Sequence, residues 1–345
     1  MKRLLRIVVA LMLSIVVSAG PALACGGLIG ANDTVNLVRT TTLAAYHDGE
    51  EHYITSFAFA GAGAKFGSIV PLPGVPTSVE KAGRWTLQRL QLEVAPPNGG
   101  GEALVAVEAA RTADTAEVLL EAEVDALDIT VVKGGGDAVG AWAKDNGFVL
   151  PPDAPEVLDF YASRSPIFIA VRFDAERVKN RNLGSGDGIP IHVTIPTDDP
   201  WVPLRILGLG KDPRETVEAD VFLLTDERPS LLPNAGETYD VRVSEAASPS
   251  LLADLRSDRN MGWLPADDMW LTYLQVAAPA GALTHDLAVD GRGRGAPNPV
   301  DAGLAGFAVP DGPAAPGAPW GWMALVVALG AGALLGVDRM VVARR

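Results

Sequence analysis

Residues 137–173, DAVGAWAKDNGFVLPPDAPEVLDFYASRSPIFIAVRF, constrain the fold more than any other stretch of the chain. The pattern predicts helix, loop, second helix and buried strand. Asp137 follows three glycines and precedes an apolar-spaced run, which predicts an N-cap for a helix reaching about Asn146. Val139 and Trp142 lie three apart on one face, and Gly147 supplies the stop. Pro151-Pro152 keeps the connection extended. Asp153 and Glu156 have capping-box spacing, with Pro155 in the first turn, where its missing N–H is harmless. Val157, Leu158, Phe160 and Tyr161 give the second helix an apolar face, which Pro166 ends. Ile167 to Phe173 is apolar and β-branched, as a covered strand requires. A helical pair laid on a sheet follows, with no catalytic constellation in it.

The two ends read differently from the middle. Lys2, Arg3 and Arg6 surround the start of an apolar run, Ile7 to Val17, followed by Ala22-Leu23-Ala24. That is the pattern of a signal peptide over residues 1–24. Trp320 to Val337 is uncharged over 18 residues, with Trp320 and Trp322 at one border and Arg339, Arg344 and Arg345 beyond the other. Length, aromatic belt and basic flank predict one C-terminal transmembrane helix, 320–337, with a cytoplasmic tail, 338–345. Gly291 to Pro319, rich in Gly, Pro and Ala, reads as a tether. The expected location is the cell membrane, single-pass, with residues 25–290 as an extracytoplasmic domain. Gly332 and Gly336 form a G-x-x-x-G that either brings two helices together or packs against lipid.

Charge narrows the partners. The two end segments carry six of the 28 Lys+Arg and one of the 42 Asp+Glu, which leaves the exported part at −19. That argues against nucleic acid and anionic lipid surfaces as partners, and permits cations or basic partners. The single cysteine, Cys25, is the first residue after the leader and has no internal disulfide partner. A lipoprotein carries its modified cysteine there, although Leu23 stands one place nearer the cysteine than a lipobox prefers. Ordinary cleavage before an unmodified Cys25 is the other reading.

The rest of the chain reads mainly as strands. Thr34–Tyr46 and His52–Ala60 around Asp48-Gly49 predict a hairpin, and Phe66–Leu72 a third strand with a proline-rich exit. Trp85–Leu92 leans to helix, residues 96–116 to a surface loop, and Glu117–Val132 to one or two strands. Ile189–Ile195 alternates as a half-buried strand. Val202–Leu209, Val217–Thr225 and Tyr239–Val243 read as strands, Pro249–Arg256 as helix, and Met269–Val276 as either. The fold class expected is α+β: mainly antiparallel sheets with a helical pair on one face, as one domain or two lobes meeting near residue 133.

Five stretches stand out together: the CGG at Cys25–Gly27, FGSIVPLPGVP at Phe66–Pro76, residues 138–173, HVTIPTDDPWVPLRIL at His192–Leu207 and WLTYLQVAAPAGALTHDL at Trp270–Leu287. In this order and spacing they resemble the bacterial domain of unknown function 2330 family. The resemblance implies an exported, often membrane-tethered bacterial protein with no established activity and no catalytic residues to carry over. Many members carry more cysteines near the CGG; this chain has none, so no disulfide or metal role transfers to that region.

Few residues suggest chemistry. His47 and His52 flank a turn with Asp48, Glu50 and Glu51. In a four-residue loop the imidazoles would face each other and could share a metal; in a two-residue Asp48-Gly49 turn they would not pair. Asp198-Asp199, Asp226-Glu227 and Asp267-Asp268 are carboxylate pairs near strand ends, as Ca²⁺ ligands or, more simply, as turn and cap residues. Ser185, His192 and one of the many Asp residues could make a triad, but Ser185 lies in GSGDG, which is not a G-x-S-x-G elbow. His192 reads as a structural polar residue on its strand and His285 as part of a turn. No cofactor motif is present. The expectation is a non-enzymatic binding or scaffolding module of the bacterial envelope, its partner an envelope protein or glycan. The alternatives are an envelope hydrolase with a loop-built site, or a metal-binding module at the His47/His52 hairpin.

Overall fold

Asp48-Gly49 fixes the central hairpin. Both residues take positive φ, 51° and 85°, as a two-residue turn between twisted strands requires. Strands β2 (Asn36–His47) and β3 (Glu50–Ala60) therefore pair antiparallel from His47↔Glu50 outward to Asn36↔Ala60. The computed structural model describes residues 27–30, 36–60, 66–95, 117–124, 127–173, 190–236, 238–293 and 295–304. The leader, Cys25, Ser185, the 96–116 loop and the 320–337 segment lie outside those residues.

The hairpin is the middle of a seven-stranded sheet in the order β13-β14-β11-β2-β3-β9-β5. The added strands are β5 (Ser78–Lys81), β9 (Ile191–Pro196), β11 (Thr216–Thr225), β13 (Tyr239–Ala246) and β14 (Trp270–Pro279). Only β11 against β2 is parallel. β4 (Phe66–Leu72) leaves this sheet for a second, five-stranded one, β1-β4-β8-β7-β6, made with β1 (Gly27–Gly30), β6 (Glu117–Val124), β7 (Leu127–Lys133) and β8 (Ile167–Phe173). Pro71 lies opposite Phe168 of β8, beyond the Phe66–Ile69 stretch of β4 that pairs with β1. A small sheet, β10-β15-β12, joins β10 (Trp201–Val202), β15 (Leu287–Asp290) and β12 (Ser230–Leu232).

Four helices cover the two large sheets. α1 (Arg84–Val94) and α4 (Pro249–Arg256) lie on the seven-stranded sheet, where Leu87, Leu90, Leu251 and Leu255 pack with Leu43, Ile54 and Phe222. The predicted pair, α2 (Gly136–Asp145) and α3 (Ala154–Ala162), packs on the five-stranded sheet. Their Val139, Trp142, Leu158 and Tyr161 share one core with Ile169 and Val171 of β8 and with Tyr53, Val193 and Val221 of the larger sheet. Period-two alternation sorts the hairpin between these cores: Ala44 and Tyr53 face one, Leu43 and Ile54 the other. The result is mostly antiparallel, partly mixed sheet with four helices among the described residues.

Several local expectations change. Asp137 sits in the first turn of α2, and the N-cap is Gly135 with no side-chain cap. Asp153 is the N-cap of α3, but its carboxylate accepts from the Gly210 amide at 3.0 Å instead of capping its own helix. Only Val202 of the expected 202–209 strand is strand, at the end of β10: the chain then enters a 3-10 turn at Arg205–Gly208, because a buried carboxylate described below takes the amides of Leu204 and Arg205 at its start. Met269–Val276 resolves as strand β14. A division at residue 133 would cut both large sheets, since each combines strands from before and after it. The compact unit continues through Leu304, beyond the 290 boundary that composition suggests, with Ala302 fully buried and its carbonyl accepting from the Asp286 amide.

Helix α1 has no cap of its own: its N-cap position is Gly83. The Asp258 carboxylate, just beyond α4, serves instead, accepting from the Thr86 amide at 2.6 Å and the Thr86 hydroxyl at 2.9 Å. A Cβ on Gly83 would lie 1.8 Å from that carboxylate, which is why the position is glycine. Asp258→Ala should therefore destabilise the fold by about 0.5–2 kcal/mol, read from denaturant unfolding. An unchanged midpoint would show that the carboxylate does not cap α1.

Candidate functional site

The two-residue turn decides the fate of the predicted histidine pair. His47 lies opposite Glu50 and His52 opposite Ala45, so the two imidazoles do not face each other. His47 turns to Asp226, with Nδ1 2.6 Å from the Asp226 carboxylate, and its Nε2 lies 3.5 Å from Asp48. His52 points instead into the layer beneath α1 and α4. There its Nδ1 is 3.0 Å from Nε2 of His192, which strand β9 supplies. The Trp263 indole stacks flat on the His52 ring, with centroids 3.5 Å apart and planes 2° from parallel. The indole N–H of Trp263 is buried without a hydrogen-bond partner.

Both imidazoles are almost wholly buried, at 5% and 4% exposure. Burial pushes His52 down to about 3, with the neighbouring His192 and then His47 acting in the same direction. Burial alone pushes His192 down to about 4. At neutral pH the pair is uncharged, so one ring donates the shared hydrogen and the other accepts it. Glu51, the next residue on β3, points to the opposite face. It is buried, and neither carboxyl oxygen makes a hydrogen bond of good geometry. Burial pushes it up to about 8, with the looser approach of the Trp201 backbone amide pulling the other way.

A second polar cluster is built around Asp286, which is fully buried. Its Oδ1 accepts from the Tyr161 hydroxyl at 2.8 Å and from the amides of Leu204 and Arg205 at 2.8 and 2.9 Å. Its Oδ2 accepts from Arg164 at 2.6 Å. The Tyr161 oxygen in turn accepts from the Ile206 amide at 2.8 Å. Arg164 also donates to the Asp301 carbonyl and lies against the rings of Phe160 and Trp201, at 4.2 and 4.9 Å. Burial raises Asp286, while Arg164, the Arg205 amide and Tyr161 lower it. Four donors on one carboxylate specify its ionised form. Burial, then the charge of Asp286, holds the Tyr161 hydroxyl well above its usual range.

The carboxylate pairs serve the surface and its turns. Asp198 binds Arg292 at 2.7 Å, and Asp226 binds His47. Asp268 occupies a positive-φ position, 58°. Burial, helped by the charge of Asp199, pushes Asp301 up to about 6 against the pull of Arg164. His285 sits at the surface with its Nδ1 2.8 Å from the Thr284 hydroxyl. Among the described residues no three His, Cys, Asp or Glu are grouped to hold a metal, and no helix is long and apolar enough to cross a membrane. The His52–His192 pair was missed because β3 and β9 stand 140 residues apart at that contact. Alternation in the Ile189–Ile195 strand does set His192 opposite its apolar neighbours; it does not say which strand lies beside it.

Residues 19–288 match the family DUF2330, an uncharacterised protein conserved in bacteria, and the chain belongs to that family. A comparison with curated proteins finds no match. Among solved structures, that of baculovirus P35 aligns with 74% of this chain and 97% of its own, at 9% identity and a TM-score of 0.39.

The two buried sites give stability opposite pH dependences. His52 and His192 lie below the ordinary histidine value of 6.5, so their contribution is complete above 6.5 and is lost as pH falls toward 4 and 3. Glu51 lies above its ordinary 4.5, so its contribution is complete below 4.5 and is lost as pH rises through 8. Melting temperatures measured across pH should fall on both sides of a maximum. His192→Gln should flatten the acid limb and Glu51→Gln the alkaline limb. Limbs that keep their slopes in these variants would contradict the assignment.

Proposed function

We propose that this chain is an exported, membrane-tethered binding or scaffolding protein of the bacterial envelope, and that it performs no catalysis of its own. The observation that carries the reading is the contrast between ends and body. An apolar leader and an apolar C-terminal segment flank a β-rich body, 27–304, whose central acid, guanidinium and phenol hold one another. With the carboxylate taken by four donors, Asp286, Arg164 and Tyr161 brace the fold and leave recognition to its outer surface. The acidic charge of the body suits a soluble module facing outward and favours an envelope protein or a glycan as partner over nucleic acid.

Spheroplasts of the native host treated with protease should lose the 27–304 body while a cytoplasmic marker survives. The full chain, extracted under mild conditions, should bring down one protein or glycan in stoichiometric amount. A body protected until lysis would contradict export, and a chain recovered alone at every salt concentration would contradict binding.

A further inference from the structure

We propose that His52 and His192 form a two-nitrogen site for a soft monovalent cation of the Cu(I) class. The proposal goes beyond the scaffolding role and does not depend on it. It starts from two imidazole nitrogens, His52 Nδ1 and His192 Nε2, that already point at each other across 3.0 Å. Both rings are neutral, the form that coordinates metals. A linear nitrogen–metal–nitrogen arrangement with bonds of about 2 Å, the usual metal–imidazole length, sets the two atoms roughly 4 Å apart. The rings therefore need to separate by only about 1 Å.

The ligand count selects the ion. Zn²⁺ asks for four donors and Ca²⁺ for six or more oxygens. Among the described residues no third His, Cys, Asp or Glu completes a set here. A filled-shell monovalent ion is satisfied by two. The surroundings fit the same choice: the flat face of Trp263 lies 3.5 Å from the His52 ring. Aromatic faces attract cations, most strongly in a desolvated place.

The proton balance closes without a further reagent. In the empty pair the shared hydrogen sits on one of the two facing nitrogens. If it sits on His52 Nδ1, binding moves it to His52 Nε2, which lies 3.9 Å from the Glu50 carboxylate. If it sits on His192 Nε2, it moves to His192 Nδ1. No net proton leaves, and Glu50, half-exposed at the acidic hairpin tip, favours the Nε2–H form of His52. His47 stays outside the site, held by Asp226.

The test uses the full chain with Cys25→Ser, which removes the only thiol. Titration with Ag(I) in chloride-free buffer, and with Cu(I) under anaerobic conditions, should give one ion per chain and quench tryptophan emission. His192→Gln, checked by its melting curve, should weaken binding more than about tenfold, and His47→Gln should leave it unchanged. X-ray absorption of the Cu(I)-loaded chain should show two nitrogen neighbours, and this reading stands even if His192→Gln fails to fold. Absence of stoichiometric binding, full affinity in folded His192→Gln, or a sulfur or third near neighbour in the absorption spectrum would each overturn the assignment.

Discussion

Asp286 is the point at which distant parts of the chain are made to agree. A fully buried carboxylate is among the most expensive groups to remove from water unless its lone pairs are filled. Here they are filled by the last turn of α3 and the turn after it, through Tyr161 and Arg164, and by a second turn, through the amides of Leu204 and Arg205. Arg164 then reaches the 298–304 segment through the Asp301 carbonyl. Three pieces of chain thus share one ion pair, and none can move without exposing an unpaired charge or orphaned amide. This explains why the strand stops at Val202 and the apolar residues after it enter a 3-10 turn at Arg205–Gly208: the amides of Leu204 and Arg205 serve the carboxylate rather than a neighbouring strand. It also explains why the folded unit continues through Leu304, where Ala302 is fully buried.

The same logic separates the histidines. Strand period and a two-residue turn put His47 at the rim and His52 in the interior. At the interior position loss of water outweighs the half-exposed Glu50 carboxylate 3.9 Å away, so burial keeps both His52 and His192 neutral. Glu51, one residue along, faces the other core and is kept protonated by the same loss of water. Neighbouring residues on β3 thus titrate in opposite senses because the strand alternates between two cores.

Much of the fold was legible in the chain. The Asp48-Gly49 hairpin, the strand at Ile167–Phe173, the helix at Pro249–Arg256 and the α2/α3 pair follow from local signals that act within a few residues. Caps were read less well. Asp137 and Asp153 have the right residue type and spacing, yet neither side chain caps its helix, while Asp258 caps α1 from 172 residues away. What sequence could not supply was pairing across long separations. The parallel contact of β11 with β2, the meeting of His52 with His192, and the convergence of Tyr161, Arg164 and Asp286 all join residues that no local pattern connects. The candidate site is half legible for that reason: the sequence points to His52, but its local pattern offers a partner across the turn, and the true partner lies across the sheet.

Amide hydrogen exchange at Leu204, Arg205 and Ile206 tests the central role of Asp286 most directly. These three amides sit in a short turn and donate to the Asp286 or Tyr161 side chains. If the buried carboxylate holds the fold together, they exchange only when the whole unit unfolds, as slowly as the central strands β2 and β11. Exchange at the rate of an ordinary surface turn would show that the cluster opens on its own, and that the fold does not depend on it.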